Sequence, residues 1–269
     1  MDMFTLEPGD APLLLSLPHD GSHIPDDLRQ RMVPNARTAP DTDWHVARLY
    51  AFAKELGVSI LRPHHSRYVV DLNRPPNDVS LYPGQNTTGL CPDVQFSGEP
   101  VYLDGETPDA AEIESRRDHF WQPYHAALVG ELQRLRARFP RVVLWDGHSI
   151  RGELPFLFEG RLPDLNLGTA SGASCSPILQ ARLAEVLQSA TDYSHVVNGR
   201  FKGGYITRHY GQPDTGVHAV QLELAQSIYM DEASTDYRPE RAERLQQRVL
   251  QPLLHAALAW ARADATRGD

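Results

Sequence analysis

The chain has 269 residues, a formal net charge of −9 and a sequence pI of about 5.7. This length can bury a sizeable core, and we expect a single domain over residues 1–269. The acidic balance argues against nucleic acid as the main partner. The N-terminus has no signal pattern, the apolar runs are too short for a membrane span, and the two cysteines form no close pair. We therefore expect a cytoplasmic protein with no membrane partner. Its oligomeric state does not follow from the sequence.

The first predicted strand is the apolar run at residues 12–17, which ends in a polar loop that carries His19 and His23. A short continuous apolar run closed by a turn is typical of a buried strand. In open α/β sheets, ligands bind in the loops at the carboxyl ends of the strands. This loop is therefore a candidate functional loop.

The next predicted element is a helix from Asp43 to about Leu56. Thr42 or Asp41 can cap its beginning, and Gly57 can end it. Shorter elements are predicted around it, namely a helix near residues 26–32 and strands at 58–61 and 68–72.

Residues 75–105 are rich in turn-forming residues and long for a connection, which predicts a functional loop or lid. The strongest helical pattern runs from about Pro108 to Phe139, with a kink or division expected at Pro123. Later predicted elements are a loop-like stretch at 155–174, a helix capped by Ser176 to about Thr191, a glycine-rich stretch at 198–211, a strand at 218–224 and a final helix at 239–263.

The most informative stretch is 141–151, RVVLWDGHSIR. Its four apolar residues predict a buried strand of an α/β sheet that ends at Asp146. The loop that we expect to follow carries Asp146, His148 and Ser149. Asp-x-His spacing can place an imidazole on a metal with a carboxylate nearby to orient it. The same residues can instead cap and pack a turn, and the stretch alone leaves both interpretations open.

Histidines at the ends of two predicted strands, His19 and His148, suggest a hydrolytic metal centre. A mononuclear zinc of this kind needs three ligands of His or carboxylate type and one open position. Asp43 is the third candidate, and His23 and His45 compete with it. For each histidine alone, a hydrogen-bonded side chain near a turn is the alternative.

Arg67 and Arg74 flank the predicted strand at 68–72, and two prolines follow Arg74. Prolines fix the chain, so this arrangement predicts a rigid fork for carboxylates, with Asn73 beside it. Two solvated surface arginines are the alternative.

Glu223 stands alone among apolar neighbours, on the strand face opposite Leu222 and Leu224. A carboxylate in such a strand is costly unless it is paired or used chemically. The alternative is an edge strand whose glutamate faces solvent.

Taken together, the motifs make the chain similar to the N-formylglutamate amidohydrolase (N-formylglutamate deformylase) family. The matching stretches are SLPHDGSHIP, DTDWHVARLY, SRYVVDLNRPP, SLYPGQNTTGLCP, LWDGHSIR, LPDLNLGT, NGRFKGGYITRHYG and VHAVQLELAQSIYM. The family resembles zinc carboxypeptidases and aspartoacylases. The resemblance therefore implies an α/β fold with three α/β/α layers and a mixed, mostly parallel central sheet.

The resemblance also implies one Zn²⁺, or another divalent metal, per chain. Those relatives take two ligands from a His-x-x-Glu motif, whereas Ser22 stands three residues after His19 here. We assign the missing carboxylate ligand to Asp43, so that the expected ligands are His19, Asp43 and His148. Glu223 is similar to the catalytic glutamate of the relatives.

The implied reaction is hydrolysis of the linear amide C–N bond of N-formyl-L-glutamate, a small anionic substrate, to formate and L-glutamate, the closing step of one histidine-degradation route. The expected roles are Glu223 as general base, Arg67 at the oxyanion, Asn73 and Arg74 at one substrate carboxylate, and Arg200 and Arg208, with Lys202 as a weaker candidate, at the other. Alternatives are an amidohydrolase for another N-acyl amino acid, such as succinyl-glutamate or acetyl-aspartate, and a non-catalytic dicarboxylate-binding protein.

Overall fold

The computed structural model describes residues 2–81 and 84–263. Within these residues lies a seven-stranded sheet of order β1-β3-β2-β4-β7-β5-β6. The strands are β1 Phe4–Glu7, β2 Leu13–Ser16, β3 Ser59–Pro63, β4 Val142–Ile150, β5 Leu165–Gly168, β6 His195–Val197 and β7 Val217–Ala225. The β1/β3 and β5/β7 pairs are antiparallel and the other neighbouring pairs are parallel. The expected mixed, mostly parallel sheet is therefore confirmed.

The helices of the described residues are α1 Asp26–Gln30, α2 Val46–Leu49, α3 Ala110–Arg116, α4 Gln122–Arg136, α5 Pro177–Ser189, α6 Tyr205–Tyr210, α7 Pro239–Leu245 and α8 Gln251–Arg262. None of the helices in this part of the chain is both long and apolar enough to cross a bilayer. As predicted, the Ser176 hydroxyl caps α5 by accepting a hydrogen bond from the Ile178 N–H at 3.2 Å.

Successive side chains of the central strands point into two apolar cores, one on each face of the sheet. Leu13 and Leu15 of β2 pack in a core with α2, α5 and α8, whereas Leu14 between them packs in a second core with α4 and α6. All three leucines are fully buried, which stabilises the fold by about 1.5–3 kcal/mol for each side chain. The sheet is thus the middle of three layers, and its two faces can be followed residue by residue.

Two long helical stretches each contain a π-helical segment that ends two residues before a proline. Residues Arg117–Trp121 join α3 to α4 ahead of Pro123, and residues Gln246–Leu250 join α7 to α8 ahead of Pro252. Proline lacks an N–H and its ring clashes with the carbonyl four residues earlier in an α-helix. A π turn accommodates one extra residue and changes that hydrogen-bond pattern. The interruption expected at Pro123 is therefore a π segment.

The predicted end of the central strand at Asp146 is wrong, because β4 continues to Ile150 in unbroken register with β7. Asp146 and His148 consequently lie on a strand and not in a loop. Gly147 makes this close packing possible, since an added Cβ would come within 2.8 Å of the Leu17 side chain.

Residues 68–72 form turns and not the predicted strand. Their backbone groups bond outside the sheet: the Val69 N–H donates to the Ser66 carbonyl and the Asp71 N–H to the Leu90 carbonyl, at 2.9 and 2.7 Å. The apolar side chains here are buried without sheet pairing of their backbone: Tyr68 and Val69 lie in one core, and Val70 and Leu72 lie in another. The prediction of a strand at residues 68–72 rested on their apolar side chains alone, and these did not determine the backbone conformation.

The helix predicted from Asp43 begins only at Val46. His45 has a φ of 65°, in the left-handed region, and so separates Asp43 from the helix. The predicted caps bond elsewhere: the Thr42 hydroxyl donates to the Ala39 carbonyl, and Asp41 accepts from the Tyr68 hydroxyl.

The loop-like stretch predicted at 155–174 contains strand β5, which pairs with β7 and β6. The stretch at 75–105, in contrast, is irregular throughout its described residues, as predicted.

Candidate active site

The site lies on one face of the sheet, where the parallel strands β4 and β7 run side by side. In their register, Asp146 is opposite Gln221 and His148 is opposite Glu223. His148 is 2 % exposed and Glu223 is 6 % exposed. Because β7 lies between β4 and β5, the alternative that Glu223 faces solvent on an edge strand is wrong.

His19, Asp43 and His148 form a buried group, here called the triad. Their potential ligand atoms all lie within 4.8 Å of one another. Asp43 Oδ2 is 3.0 Å from His148 Nδ1 and 3.8 Å from His19 Nδ1. Asp43 reaches this position through its backbone, because its N–H donates to the His19 carbonyl at 3.0 Å. The triad could hold a metal ion.

The far nitrogen of each triad imidazole lies against a second buried carboxylate. His19 Nε2 is 2.8 Å from Asp71 Oδ1, and His148 Nε2 is 3.0 Å from Asp146 Oδ1. Histidines that bind metals commonly have such a carboxylate at their other nitrogen, which fixes the ring orientation. Two imidazoles and one carboxylate are also a donor set that suits Zn²⁺. The residues therefore fit a divalent metal.

Sequence reasoning anticipated Asp146 beside His148 but missed Asp71 beside His19. The Asp71 carboxylate also accepts hydrogen bonds from Arg67 and from the Asn73 N–H, at 2.6 and 2.9 Å. The only sequence feature that singled out Asp71 was its position in the Asp-Leu-Asn-Arg motif.

The competing histidines do not belong to the triad. The exposed His23 packs against His65, with ring centroids 5.1 Å apart. His45 Nε2 lies 2.8 Å from the Thr235 carbonyl oxygen.

Burial and charge separate the titratable groups of the site. Burial lowers the pKa of His148, but the carboxylates of Asp146 and Asp43 outweigh it and hold that pKa well above its usual value. Burial and the Arg67 guanidinium lower the pKa of His19. Burial raises the pKa of Glu223 to about 8. The carboxylates thus favour a positive charge within the triad.

Arg67 is buried beside the triad. Its Nη2 donates to Asp71 at 2.6 Å, and its guanidinium carbon lies 4.6 Å from the centre of the Phe96 ring. Its Nη1 is 3.8 Å from Asp43 Oδ1. This packing on two sides gives the guanidinium one defined orientation.

Asn73 and Arg74 also lie at the site. The Asn73 amide bonds at both ends: Oδ1 accepts from the Ile206 N–H at 2.8 Å, and Nδ2 donates to Asp146 at 3.2 Å. Arg74 Nε donates to the Thr88 carbonyl at 2.7 Å, and its Nη2 donates to the Thr88 hydroxyl at 3.1 Å.

The predicted cations of the glycine-rich stretch separate into two groups. Arg200 faces the site, with its Nη2 donating to the Leu157 carbonyl at 3.1 Å. Arg208 is exposed, its Nε donates to the Gly203 carbonyl, and it does not line the cavity that contains the triad. Lys202 is exposed as well.

One cavity joins these groups and is called the site cavity. Polar residues on its wall include His19, Asp43, His148, Glu223, Asn73, Arg67, Arg74 and Arg200, and apolar residues include Phe96, Ile150, Leu157 and Phe201. Gln221, which sequence reasoning missed, also lines it and accepts from the Gly204 N–H at 2.7 Å. Gln221 stands two residues before Glu223 on β7, and this spacing could have indicated that the two side chains share one face of the strand. A cavity with a metal-type donor set, a buried carboxylate and three arginines suits hydrolysis of a small anion.

Comparisons with known proteins agree with this chemistry. A model of the N-formylglutamate amidohydrolase family matches residues 11–230. Proteins named N-formylglutamate deformylase from Pseudomonas aeruginosa and Pseudomonas putida are each 53 % identical to the chain; the first match covers 97 % of this chain and 98 % of the relative, and the second covers 94 % of each.

Two solved structures are also similar. The crystal structure of N-formylglutamate amidohydrolase from Ralstonia eutropha JMP134 superimposes with a TM-score of 0.82 at 26 % identity, over 97 % of this chain and 99 % of that one. A gene product of Agrobacterium tumefaciens, at 17 % identity with a TM-score of 0.68 over 95 % of this chain and 96 % of that one, shares the fold.

Proposed function

Because this chain belongs to the N-formylglutamate amidohydrolase family, we propose that it hydrolyses N-formyl-L-glutamate to formate and L-glutamate. The observation that carries the proposal is the triad beside the buried Glu223, in a cavity lined by three arginines. The substrate is a small dianion, and the cavity combines hydrolytic side chains with cations that can bind it. We assign the reaction to the closing step of a histidine-degradation route.

The triad would hold one Zn²⁺ or another divalent ion, through His19, Asp43 and His148. Such an ion supplies a more acidic water and polarises the formyl carbonyl when it is bound. Asp71 keeps the His19 imidazole, and Asp146 together with the Asn73 amide keeps the His148 imidazole, oriented with Nδ1 toward Asp43.

Glu223 acts as the general base. Its burial raises its pKa to about 8, and a nearby divalent cation lowers the pKa of a carboxylate, so its proton affinity is suited to neutral pH. Glu223 takes a proton from the attacking water as the oxygen bonds to the formyl carbon. It then delivers that proton to the amine nitrogen as the C–N bond breaks, which releases formate and L-glutamate.

The arginines stabilise the charges of substrate and transition state. Arg67 is held by Asp71 and Phe96, and its fixed guanidinium stabilises the oxyanion that develops on the formyl oxygen. Arg74, with Asn73 beside it, binds one substrate carboxylate. Arg200 binds the other.

The test is formate or acyl release from a panel of N-formyl-L-glutamate, N-acetyl-L-aspartate and N-succinyl-L-glutamate, with metal content measured by elemental analysis. We expect turnover of the formyl substrate to exceed that of the others, and one divalent ion per chain. Asp43→Ala should lose the ion and the activity, whereas His45→Ala, two residues away, should keep both. A preference for a larger acyl group would contradict the assigned substrate, and full activity of metal-free protein would contradict the metal site.

A further inference from the structure

The segment Leu72–Arg74, here called the anchor segment, carries two of the residues at the site cavity but belongs to no helix or strand. All three of its carbonyl oxygens are nevertheless bonded. The Leu72 carbonyl lies 2.9 Å from His125 Nε2, the Asn73 carbonyl accepts from the Tyr205 N–H at 3.3 Å, and the Arg74 carbonyl accepts from Trp121 Nε1 at 3.0 Å. Its backbone is therefore held from outside, chiefly by side chains of the helical stretch around α4.

The bonds of His125 determine its tautomer. A carbonyl oxygen only accepts hydrogen bonds, so Nε2 of His125 carries the proton that is donated to Leu72. Nδ1 then accepts from the Tyr210 hydroxyl at 2.8 Å. His125 is 3 % exposed, and both of its ring nitrogens are satisfied by neutral partners. Nothing in these contacts requires a charged or catalytic histidine.

Trp121 and His125 act as a pair. They are four residues apart on one helical stretch, and their rings stack with centroids 3.7 Å apart and planes inclined by 22°. Neither side chain lines the site cavity. The pair therefore touches the anchor segment from behind, on the side away from a bound substrate.

We propose that Trp121 and His125 are positioning residues that set the place of Arg74 in the site cavity and so determine how well the protein binds a substrate carboxylate. The inference rests on the proposed function, in which Arg74 binds that carboxylate. A guanidinium matches a carboxylate only in a narrow range of orientations. Displacement of a binding group by about 1 Å can lower the rate on the order of a hundredfold. The bonds of the Arg74 side chain to Thr88 fix its guanidinium relative to one loop. Because the anchor segment has no secondary structure of its own, the pair fixes the backbone from which that side chain starts.

The experiment is a double-mutant cycle between Trp121→Phe and Arg74→Lys. Trp121→Phe keeps an aromatic ring but removes the N–H that bonds the Arg74 carbonyl. We expect KM for N-formyl-L-glutamate to rise on the order of tenfold, because a displaced guanidinium weakens about one charge-assisted hydrogen bond to the substrate carboxylate, with a much smaller change in kcat. In the Arg74→Lys background the same substitution should raise KM little further, because the group being positioned is already replaced.

Tyr124→Phe is the matched control. This buried neighbour on the same helix bonds the Ser16 hydroxyl of β2 at 2.9 Å, away from the anchor segment. Like Trp121→Phe, it removes one buried hydrogen bond and keeps an aromatic ring, so it should lower the free energy of unfolding but leave KM unchanged. An equal rise in KM in the control, or additive effects in the cycle, would overturn the positioning role.

A second pair of variants covers the case in which Trp121→Phe does not fold. His125→Gln keeps an N–H that can donate to the Leu72 carbonyl, so its KM should stay close to that of the wild type. His125→Leu has no such donor, so its KM should rise. Equal KM values for the two would overturn the proposal. The cycle is also measured on the Kd of L-glutamate by calorimetry. Wild-type turnover thus tests the proposed function separately, and ligand binding tests the positioning role.

Discussion

The two faces of β4 and β7 near their carboxyl ends differ completely, although alternating residues of the same two strands build both. One face presents Trp145, Gly147, Val220 and Leu222 to an apolar core, and the other presents Asp146, His148, Gln221 and Glu223 to the site. Side chains of a strand alternate between faces, so neighbouring residues serve opposite purposes. A shift of one residue in register would exchange the core and the site.

The comparison also explains how the site keeps so many buried polar groups. The apolar face holds both strands by burial, while the imidazoles at the polar face are paired with carboxylates, His148 with Asp146 and His19 with Asp71. Buried charges are tolerated when they are paired in this way. Substitutions on the two faces should therefore have different consequences, one for stability and one for chemistry.

The largest effect should come from the polar face. Glu223→Gln keeps the shape of the side chain but cannot accept a proton, and we expect kcat to fall by about 10²–10⁴. KM and bound metal should stay near wild type, because Glu223 is not one of the triad residues. Steady-state kinetics with elemental analysis measures all three, and wild-type turnover would exclude Glu223 as the base.

Leu222→Ala, one residue away on the apolar face, should show the opposite pattern. Leu222 is fully buried, and its truncation should lower the free energy of unfolding by about 2–5 kcal/mol. The kcat of the folded fraction should remain close to that of the wild type. Urea unfolding with kinetics at low temperature tests this, and a loss of kcat as large as in Glu223→Gln would show that the two faces are not separable.

Asp146→Asn should weaken metal binding about 10–100-fold, because it weakens the carboxylate partner of His148 without removing a triad residue. Glu131→Gln is the control, since Glu131 is a buried, paired carboxylate of α4 that contacts Arg134 and not the triad. Competition with a metal chelator measures both affinities. Equal losses in the two variants would indicate a general effect of removing a buried charge.

The smallest expected effect is a pH dependence of stability from His125. Burial lowers its pKa to about 3 in the folded protein, against an ordinary 6.5. Below pH 6.5 the unfolded chain therefore binds a proton that the folded chain excludes, and stability falls as the pH drops toward 3, by up to about 1.4 kcal/mol per pH unit. His125→Gln does not titrate, so its free energy of unfolding should fall less steeply between pH 7 and pH 5. Identical slopes would contradict a buried neutral imidazole.

The sequence predicted that His19 and His148 lie close together, and in the structure they do. His19 and His148 follow or continue buried apolar strands that are neighbours in the sheet, and parallel strands end at one edge. The alternation around Glu223 likewise placed its carboxylate on the face opposite Leu222. Such patterns are local, and a strand with period two shows them directly.

The remaining features depend on contacts distant in sequence. The extent of β4 was underestimated because the polar residues of a site look like a loop, and only pairing with β7 reveals a strand. The Asp71 contact with His19 spans fifty-two positions of the chain, and the exposure of Arg208 depends on how the glycine-rich stretch folds. None of these three features produces a periodic pattern of apolar and polar residues in the sequence.

The π segment ahead of Pro123 has a consequence for how this family can change over time. A π turn holds one residue more than an α turn, and each residue rotates a helix by about 100°. Loss of that residue alone would turn His125 away from the anchor segment while Arg116, on the other side, kept its bond to the Tyr102 hydroxyl. Loss of the proline alone would remove the reason for the wider turn. We therefore expect relatives to keep the proline and the extra residue of the π turn together or to lack both. Keeping both preserves the directions of His125 and Arg116 at the same time.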